Sequence, residues 1–249
     1  MASTITIQVQ RYLPEKYPDP FYQEYEVPIQ KKWVILDALN YIKDELDGTL
    51  SYRWSCRMGV CGSCGMVVND RPVLTCATFL EEYAPGPVRV APLEYFGIIR
   101  DLVVNTDDFI GKLESARPWL ITDEAKPISE GEYKQTPQEK FEFEQYSMCI
   151  NCMLCYSACP VVGLEEDFVG PAAIALAQRY NLDNRDQGQE QRNEELMAEG
   201  GIYSCTFVGE CSEVCPKAVD PAEAIQRYKA TGATEWWKSV MMPWKSDKS

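Results

Sequence analysis

The sequence predicts an α+β protein, in which a small domain of strands and one helix precedes a mainly helical domain. Three observations predict this. Apolar and polar residues alternate near the N-terminus, helix-start signals recur in the second half, and eleven cysteines are grouped around both regions. The 249 residues are enough for two domains of ordinary size. The predicted domains are 1–116 and 136–249, with a linker over 117–135.

The first domain is predicted to begin with strands over 4–12 and 25–29, where alternation is typical of half-buried strands. Apolar residues at helical spacing predict a helix over 35–46. Residues 65–76 are typical of a hairpin that turns at Asn69-Asp70. Strands and one helix around a cysteine loop therefore indicate a small α+β domain over roughly the first hundred residues.

The end of this domain and the linker are marked by a change of pattern. Residues 97–116 carry apolar side chains in a roughly helical pattern, which predicts a helix there. Residues 117–135 lose this periodicity and contain Pro118, Pro127 and Gly131. We therefore place the linker in this stretch.

The second domain begins with a strong helix-start signal. Thr136 is a typical N-cap, Pro137 suits the first helical position and Glu139 completes a capping box. Residues 220–223 repeat the signature, and a helical run extends from Gly170-Pro171 to position 180. The second domain is therefore predicted to be mainly helical, with cysteine loops between helices.

Composition excludes several classes of function. The formal net charge of −14 argues against a nucleic-acid-binding protein and against broad electrostatic docking to an anionic membrane. Because the chain has no histidine, it cannot supply a Rieske centre, a histidine-ligated haem, a histidine-dependent zinc site or a Ser-His-Asp triad. The N-terminus lacks a signal-peptide pattern and no apolar run is long enough to span a bilayer, so the clustered cysteines indicate metal binding rather than disulfides.

The first cysteine set has the spacing C-x4-C-x2-C, followed by a fourth cysteine after eleven residues. This is the spacing of plant-type [2Fe–2S] ferredoxins. The predicted ligands are Cys56, Cys61, Cys64 and Cys76. Gly59, Gly62 and Gly65 allow the backbone to approach the cluster closely and to direct N–H groups at its sulfurs. A structural zinc site on four cysteines is the alternative.

The second cysteine set is a near-repeat, with the run 149–160 followed by a similar run over 205–216. The first run has the spacing of bacterial ferredoxins, in which the fourth cysteine ligates the other cluster. Applied here, this rule predicts a [4Fe–4S] cluster on Cys149, Cys152, Cys155 and Cys215. It leaves Cys159, Cys205 and Cys211 for another cluster.

Val208 occupies the position that corresponds to Cys152 in the first run. Valine cannot bind iron, and a cubane corner without a ligand readily loses its metal. We therefore predict a [3Fe–4S] cluster on three thiolates, and the three ligand sets together use all eleven cysteines. The alternative is that Val208 packs in the core while water or another side chain binds a fourth iron. Accidental loss of a ligand from a decayed site is a weaker alternative, because the flanking spacing is intact.

No catalytic residues are predicted on this chain. The sequence contains no nucleophile–base constellation, no G-x-G-x-x-G and no P-loop. The sequence therefore predicts that the chain transfers electrons and that the chemistry at either end takes place elsewhere.

Four segments resemble the iron–sulfur subunit of succinate dehydrogenases and fumarate reductases: 53–65, 149–160, 170–180 and 205–217. The similarity extends over nearly the whole chain. Many succinate dehydrogenases carry tryptophans soon after the Cys-Pro that ends the first run, whereas this chain has Val-Val-Gly-Leu after Pro160. The sequence is therefore more similar to the quinol:fumarate reductase branch, which favours a menaquinone-type partner.

The resemblance implies a plant-type ferredoxin-like domain of β-grasp fold, followed by a bacterial-ferredoxin-like domain. It also implies a flavoprotein subunit with covalent FAD and the dicarboxylate site, one or more membrane anchor subunits and a quinone. The chain would then lie peripherally on the cytoplasmic face of the cell membrane. Gln226 and Lys229 are the quinone-pocket candidates, with Thr206 as a weaker one. For Lys229 the alternative is a solvated lysine at a helix end.

The C-terminal segment 236–244 contains three tryptophans and a lysine, as is typical of a membrane-interface belt. Packing on the protein's own core or on a partner is the alternative. For the whole chain, the alternatives are a soluble multi-cluster ferredoxin, the iron–sulfur subunit of another dehydrogenase and a zinc-bound structural protein. Another dehydrogenase subunit of this type commonly has cysteine at position 208.

Overall fold

The computed structural model of the chain describes residues 4–122 and 126–241. The side chains of 235–240 are not described, so the tryptophans and the lysine of the predicted interfacial segment 236–244 lie outside the described part of the chain. Two compact units are present. The first comprises the residues up to Phe109 together with Ile150–Cys159 and Glu213–Lys217, and the second comprises Ile110–Cys149, Pro160–Ser212 and the residues from Ala218 onward. These units interleave in sequence, whereas the predicted domains are contiguous stretches, and those boundaries stay a prediction.

The first unit contains the β-strands. They are β1 (Thr4–Arg11), β2 (Phe21–Pro28), β3 (Gly65–Val68), β4 (Arg71–Leu74), β5 (Val88–Ala91), β6 (Ile98–Arg100) and β7 (Val103–Val104). Five of them form a mixed sheet in the order β2-β1-β5-β3-β4, in which β1 and β5 run parallel and the other neighbours run antiparallel. The remaining two, β6 and β7, pair with each other.

The helices within the described residues are α1 (Ile35–Tyr41), α2 (Asp107–Ser115), α3 (Pro137–Glu144), α4 (Leu154–Ser157), α5 (Pro160–Leu164), α6 (Pro171–Asn181), α7 (Gln189–Leu196), α8 (Glu210–Glu213) and α9 (Pro221–Met241). A π-helical turn, Ile42–Leu46, continues α1. None of the described helices has the length and apolarity that a bilayer span requires. The α+β fold class is confirmed, with a sheet near the N-terminus and helices after it.

The core of the first unit confirms the predicted strand and helix. Alternate residues of β1, namely Ile5, Ile7 and Val9, are buried and pack in one cluster with Ile35 and Leu39 of α1. Because successive side chains of a strand point to opposite faces, this alternation directs one face of β1 to the helix. The apolar pattern thus fixes how α1 covers the sheet.

The predicted hairpin is confirmed at its turn. Asn69 and Asp70 have φ of 45° and 64°, and Val68 pairs with Arg71 across the turn. Two consecutive residues in the left-handed region match the twist of the flanking strands, and Asn and Asp tolerate this region better than most residues. Asn69 also exchanges hydrogen bonds with Arg89 at 2.8 and 3.0 Å, which fixes β5 beside the hairpin.

The prediction of a continuous helix over 97–116 was wrong in its first half. Residues 98–104 form the β6–β7 hairpin, and α2 begins only at Asp107. Asp101, with φ of 46°, makes the turn and is fully buried. Its carboxylate accepts hydrogen bonds from Arg11 Nε and Ser51 N, each at 2.9 Å. These tertiary hydrogen bonds outweigh the helical spacing of the apolar residues.

The second unit is helical, as predicted, and its helix starts are confirmed. Thr136 Oγ1 accepts from Glu139 N at 3.2 Å, and Glu139 Oε2 accepts from Thr136 N at 2.7 Å, which completes the capping box before α3. Asp220 Oδ1 accepts from Glu223 N at 2.8 Å at the start of α9. The apolar helix α6 is buried on nearly all sides and contacts α3, α7 and α9.

A buried ion pair fixes part of the predicted linker to α7. Arg192 and Asp186 are 0% and 1% exposed, and two guanidinium nitrogens lie 2.6 and 2.7 Å from the two carboxylate oxygens. Arg192 also donates to the carbonyl oxygens of Arg117 and Trp119, and Ile121 N donates to Asp186. Residues 117–121 are thus hydrogen-bonded to α7 and to the turn before it, within the second unit.

Candidate iron–sulfur sites

The first cysteine loop is shaped by three residues in the left-handed region. Arg57, Gly59 and Gly62 have φ of 56°, 67° and 73°. These conformations fold the chain back on itself between Cys56 and Cys64, and they turn successive amides towards the cysteine sulfurs. The loop therefore surrounds a small volume with backbone N–H groups.

Backbone amides donate to the sulfurs of this loop. The N–H groups of Met58, Val60 and Cys61 lie 3.3 to 3.4 Å from Cys56 Sγ, and Gly59 N lies 3.3 Å from Cys76 Sγ. Hydrogen bonds to sulfur stabilise negative charge on it, and thiolates with their bridging sulfides form an anionic group. The loop therefore fits a [2Fe–2S] cluster, which would occupy the space that these donors surround.

The thiol pKa values of Cys61 and Cys76 reflect the groups around them. Hydrogen bonds from the Ser63 side chain and then from backbone amides lower the pKa of Cys61 to about 6. Burial raises the pKa of Cys76 to about 11, and the neighbouring Cys64 and Cys56 raise it further. The structure therefore brings all four predicted ligands of the first set together.

A structural zinc site, which requires four ligands around one ion, stays the alternative for this set. None of the eleven cysteines forms a disulfide in the described structure.

Members of both cysteine sets lie in one buried cluster of the first unit. Cys64 and Cys76 of the first set share it with Cys152 of the second. The apolar residues packed with them are Leu36, Leu74, Leu93, Leu154 and Val214. Cys64, Cys76 and Cys152 are thus close together in a buried, apolar environment.

The near-repeat is preserved in the local backbone. A short 3₁₀ turn precedes each run, Tyr146–Met148 in one and Ile202–Ser204 in the other. Cys149 then has φ −60° and ψ 129°, and Cys205 has φ −65° and ψ 123°. The two runs therefore begin with the same conformation.

The same correspondence continues through position 208. Asn151 and Phe207 have φ of 52° and 60°, and Met153 and Gly209 have φ of 65° and 89°. Val208 lies between two left-handed residues, as Cys152 does, and it is 56% exposed. Exposure of this size contradicts the alternative in which Val208 packs in the core of this chain.

The remaining predicted ligands are distributed over both units. Cys152, Cys155, Cys159 and Cys215 belong to the first unit, and Cys149, Cys205 and Cys211 belong to the second. In the second unit, Phe207 N donates to Cys205 Sγ at 3.4 Å. The assignment of these seven cysteines to two clusters stays a prediction from their spacing.

The quinone-pocket candidates lie in the second unit. Lys229 is in the middle of α9, which contradicts the helix-end alternative, and its Nζ donates to Cys205 O at 2.7 Å. Nε2 of Gln226, also on α9, is buried without a hydrogen-bond partner in the described structure. Thr206 is exposed. A quinone-binding role for these residues stays a prediction.

The sequence did not single out every residue that supports the first site. Met58 and Val60 act through their backbone amides, for which no side-chain pattern exists. Thr75 is buried and holds the loop by donating its N–H and its hydroxyl to Cys64 O, at 3.1 and 3.0 Å. A polar residue one position before a predicted ligand is a signal that could have identified Thr75.

Comparisons with known families match both halves of the chain. The family described as "2Fe-2S iron-sulfur cluster binding domain" matches residues 6–111. The family described as "4Fe-4S dicluster domain" matches residues 145–219. Each match contains one of the two cysteine regions.

Relatives match over almost their whole length. The chain is 59% identical to the fumarate reductase iron-sulfur subunit of Mycobacterium tuberculosis, over 98% of this chain and 99% of that protein. It is 49% identical to the fumarate reductase iron-sulfur subunit of Haemophilus influenzae, over 96% and 97%. Among solved structures, a chain of the Mycobacterium smegmatis Sdh1 complex in the apo form aligns with a TM-score of 0.80 and 26% identity, over 95% of this chain and 98% of that one.

Proposed function

Because the chain belongs to the iron–sulfur subunits of the fumarate reductase and succinate dehydrogenase family, we propose that it transfers electrons between a flavoprotein subunit and a membrane quinone. The flavoprotein would hold covalent FAD and interconvert fumarate and succinate. One or more anchor subunits would hold this chain at the cytoplasmic face of the membrane. Reduction of fumarate to succinate takes up two electrons and two protons, and oxidation of a quinol releases the same, so this chain has to carry only the electrons.

The cysteines are assigned to three sites. Cys56, Cys61, Cys64 and Cys76 would hold a [2Fe–2S] cluster, Cys149, Cys152, Cys155 and Cys215 a [4Fe–4S] cluster, and Cys159, Cys205 and Cys211 a [3Fe–4S] cluster. When bound, such clusters accept and donate single electrons. This chain supplies the thiolates, the amide donors to their sulfurs and the apolar surroundings.

One observation carries the proposal: two cysteine sets contribute to the same buried cluster of the first unit. Cys64, Cys76 and Cys152 pack there among leucines. Electron transfer between two sites requires that they be close, and the apolar side chains limit the access of water to both. A structural protein would have no need to place separate cysteine sets side by side.

The [3Fe–4S] assignment is supported by the local conformation at Val208. The backbone there repeats that of the Cys152 loop, yet the side chain offers no ligand. On the quinone side, Gln226 Nε2 is buried without a hydrogen-bond partner in the described structure, and it would donate to a quinone carbonyl oxygen. Lys229 holds the backbone of the predicted ligand Cys205, and Thr206 is the exposed neighbour of that cysteine. The Val-Val-Gly-Leu sequence after Pro160 favours menaquinone as the partner.

The proposal is tested by purifying the tagged chain from detergent-solubilised membranes. We expect a flavoprotein with covalent FAD and at least one integral membrane subunit to co-elute, and the complex to reduce fumarate with a menaquinol analogue. The matched variant is Cys61→Ser, which should impair quinol-dependent reduction while succinate oxidation by an artificial dye at the flavoprotein persists. A reducible chain that elutes alone from the soluble fraction would contradict the proposal and would support a soluble ferredoxin.

A further inference from the structure

The first cysteine loop and the second cysteine run touch through their backbones in the first unit. A Cβ placed on Gly62 would lie 2.8 Å from Ile150 O and 3.0 Å from Cys152 Cα. A separation of 2.8 Å is too short for a non-bonded carbon and oxygen atom, and neither neighbouring atom belongs to a flexible side chain that could move away. Any residue other than glycine at position 62 would therefore have to move one loop away from the other.

Gly65 marks a second point of the same contact. A Cβ on Gly65 would lie 3.0 Å from Cys152 O and 3.2 Å from Leu154 Cδ2. Gly65 does not have a positive φ, whereas Gly62 has φ of 73°. Conformational freedom alone therefore does not explain glycine at position 65, and the close approach to Cys152 does.

Gly59 provides the contrast within the same loop. Its φ of 67° is close to that of Gly62, but a Cβ there would meet only Ala77 Cβ, at 4.0 Å, which is an ordinary contact. Glycine at position 59 is thus explained by backbone conformation alone. The three glycines separate two reasons for glycine. At position 59 only the positive φ requires it, at position 65 only the close approach requires it, and at position 62 both do.

We propose that Gly62 and Gly65 are positioning residues that set the separation between the first cysteine set and the Cys152 loop. The inference rests on the proposed function, because it concerns two sites that exchange single electrons. Each transfer oxidises one site and reduces the other by one electron, with no bond made or broken and no proton moved. A smaller separation makes this transfer faster, and a methyl group at either glycine would increase the separation.

The test compares Gly62→Ala, Gly65→Ala and Gly59→Ala in the purified complex. Paramagnetic centres relax each other through a dipolar interaction that weakens steeply with distance. We therefore measure the microwave power at which the reduced [2Fe–2S] EPR signal saturates, with and without reduction of the neighbouring cluster. Iron and sulfide contents are measured on the same samples, so that loss of a cluster is not mistaken for weaker coupling.

We expect the relaxation enhancement to decrease in Gly62→Ala and Gly65→Ala, so that their signals saturate at lower power, and to persist in Gly59→Ala. If Gly62→Ala fails to assemble its clusters, Gly65→Ala decides, because alanine at position 65 does not have to adopt a positive φ. Wild-type enhancement in Gly65→Ala, or an equal decrease in Gly59→Ala, would overturn the inference. Wild-type complex without any iron–sulfur signal would instead refute the proposed function.

Discussion

Replacing Val208 with cysteine adds a thiol at the position that distinguishes the two cysteine runs. The backbone on both sides of Val208 already has the conformation found around Cys152, with left-handed residues before and after it. A cysteine at position 208 can therefore direct its side chain as Cys152 does within its own loop. We expect Val208→Cys to supply a fourth ligand and to convert the proposed [3Fe–4S] site to [4Fe–4S].

The size of the change can be worked out from the ligand count. Clusters of the three proposed types hold about nine irons per chain, and a fourth thiolate at the third site raises this to about ten while sulfide stays constant. Because Val208 is 56% exposed, the substitution leaves no cavity, and we expect a change in stability within about 0.5 kcal/mol. The conversion replaces the [3Fe–4S] couple by a [4Fe–4S] couple, and because cluster type is one of the factors that set the reduction potential, we expect the potential of this site to fall.

The assay combines iron and sulfide analysis with low-temperature EPR of the purified complex. In Val208→Cys, we expect the signal of the oxidised [3Fe–4S] cluster to disappear and a second reducible cubane to become visible after dithionite. Val208→Ala is the matched control, since it changes the same exposed side chain without adding a ligand, and it should keep the wild-type signals. An unchanged iron content and an unchanged oxidised signal in Val208→Cys would refute the reasoning.

Three further predictions concern the second unit. Asp186→Asn leaves the buried Arg192 without its ionic partner, so we expect the free energy of unfolding to fall by about 3–5 kcal/mol. The urea midpoint should then be lower, and an unchanged midpoint would contradict this prediction. Burial raises the pKa of Asp186, but hydrogen bonds from Arg192 and from two backbone amides lower it more. Ionised Asp186 therefore stabilises the folded protein above the ordinary carboxylate pKa, and this stabilisation is lost as the pH falls through the lowered pKa. Wild-type stability should therefore fall more steeply than that of Asp186→Asn between about pH 5 and pH 3, and parallel profiles would count against the linkage. Lys229→Met removes the hydrogen bond to Cys205 O, and a hydrogen bond from a charged group stabilises its partner by about 1.5–3 kcal/mol. We therefore expect slower quinol-dependent fumarate reduction, with dye-dependent succinate oxidation retained.

Local signals in the sequence were sufficient where they act through neighbouring residues. The turn at Asn69-Asp70 and the capping box of Thr136 and Glu139 need only backbone conformation and short-range hydrogen bonds, and both are present. The helical pattern over 97–116 failed in its first half for the opposite reason. Asp101 takes its conformation from Arg11 and Ser51, which are distant in sequence.

The candidate sites show the same division. Cysteine spacing identified the four residues that the first loop brings together, because their arrangement is largely local. Spacing could not show that Gly62 lies against Ile150, or that Lys229 holds the carbonyl of Cys205, because these contacts join segments far apart in the chain. Cysteine spacing also could not show that the amides of Met58 and Val60 donate hydrogen bonds to a sulfur, since every residue except proline has such an amide.

The central claim, a three-cluster electron relay whose quinone-side cluster lacks one iron because of Val208, is tested most directly by EPR of the purified wild-type complex at low temperature. We predict a nearly isotropic signal close to the free-electron position in the sample as isolated, from the oxidised [3Fe–4S] cluster. After dithionite, we predict a rhombic [2Fe–2S] signal. No signal in the oxidised sample, together with two reducible cubanes after dithionite, would show that another group binds a fourth iron and would contradict the account.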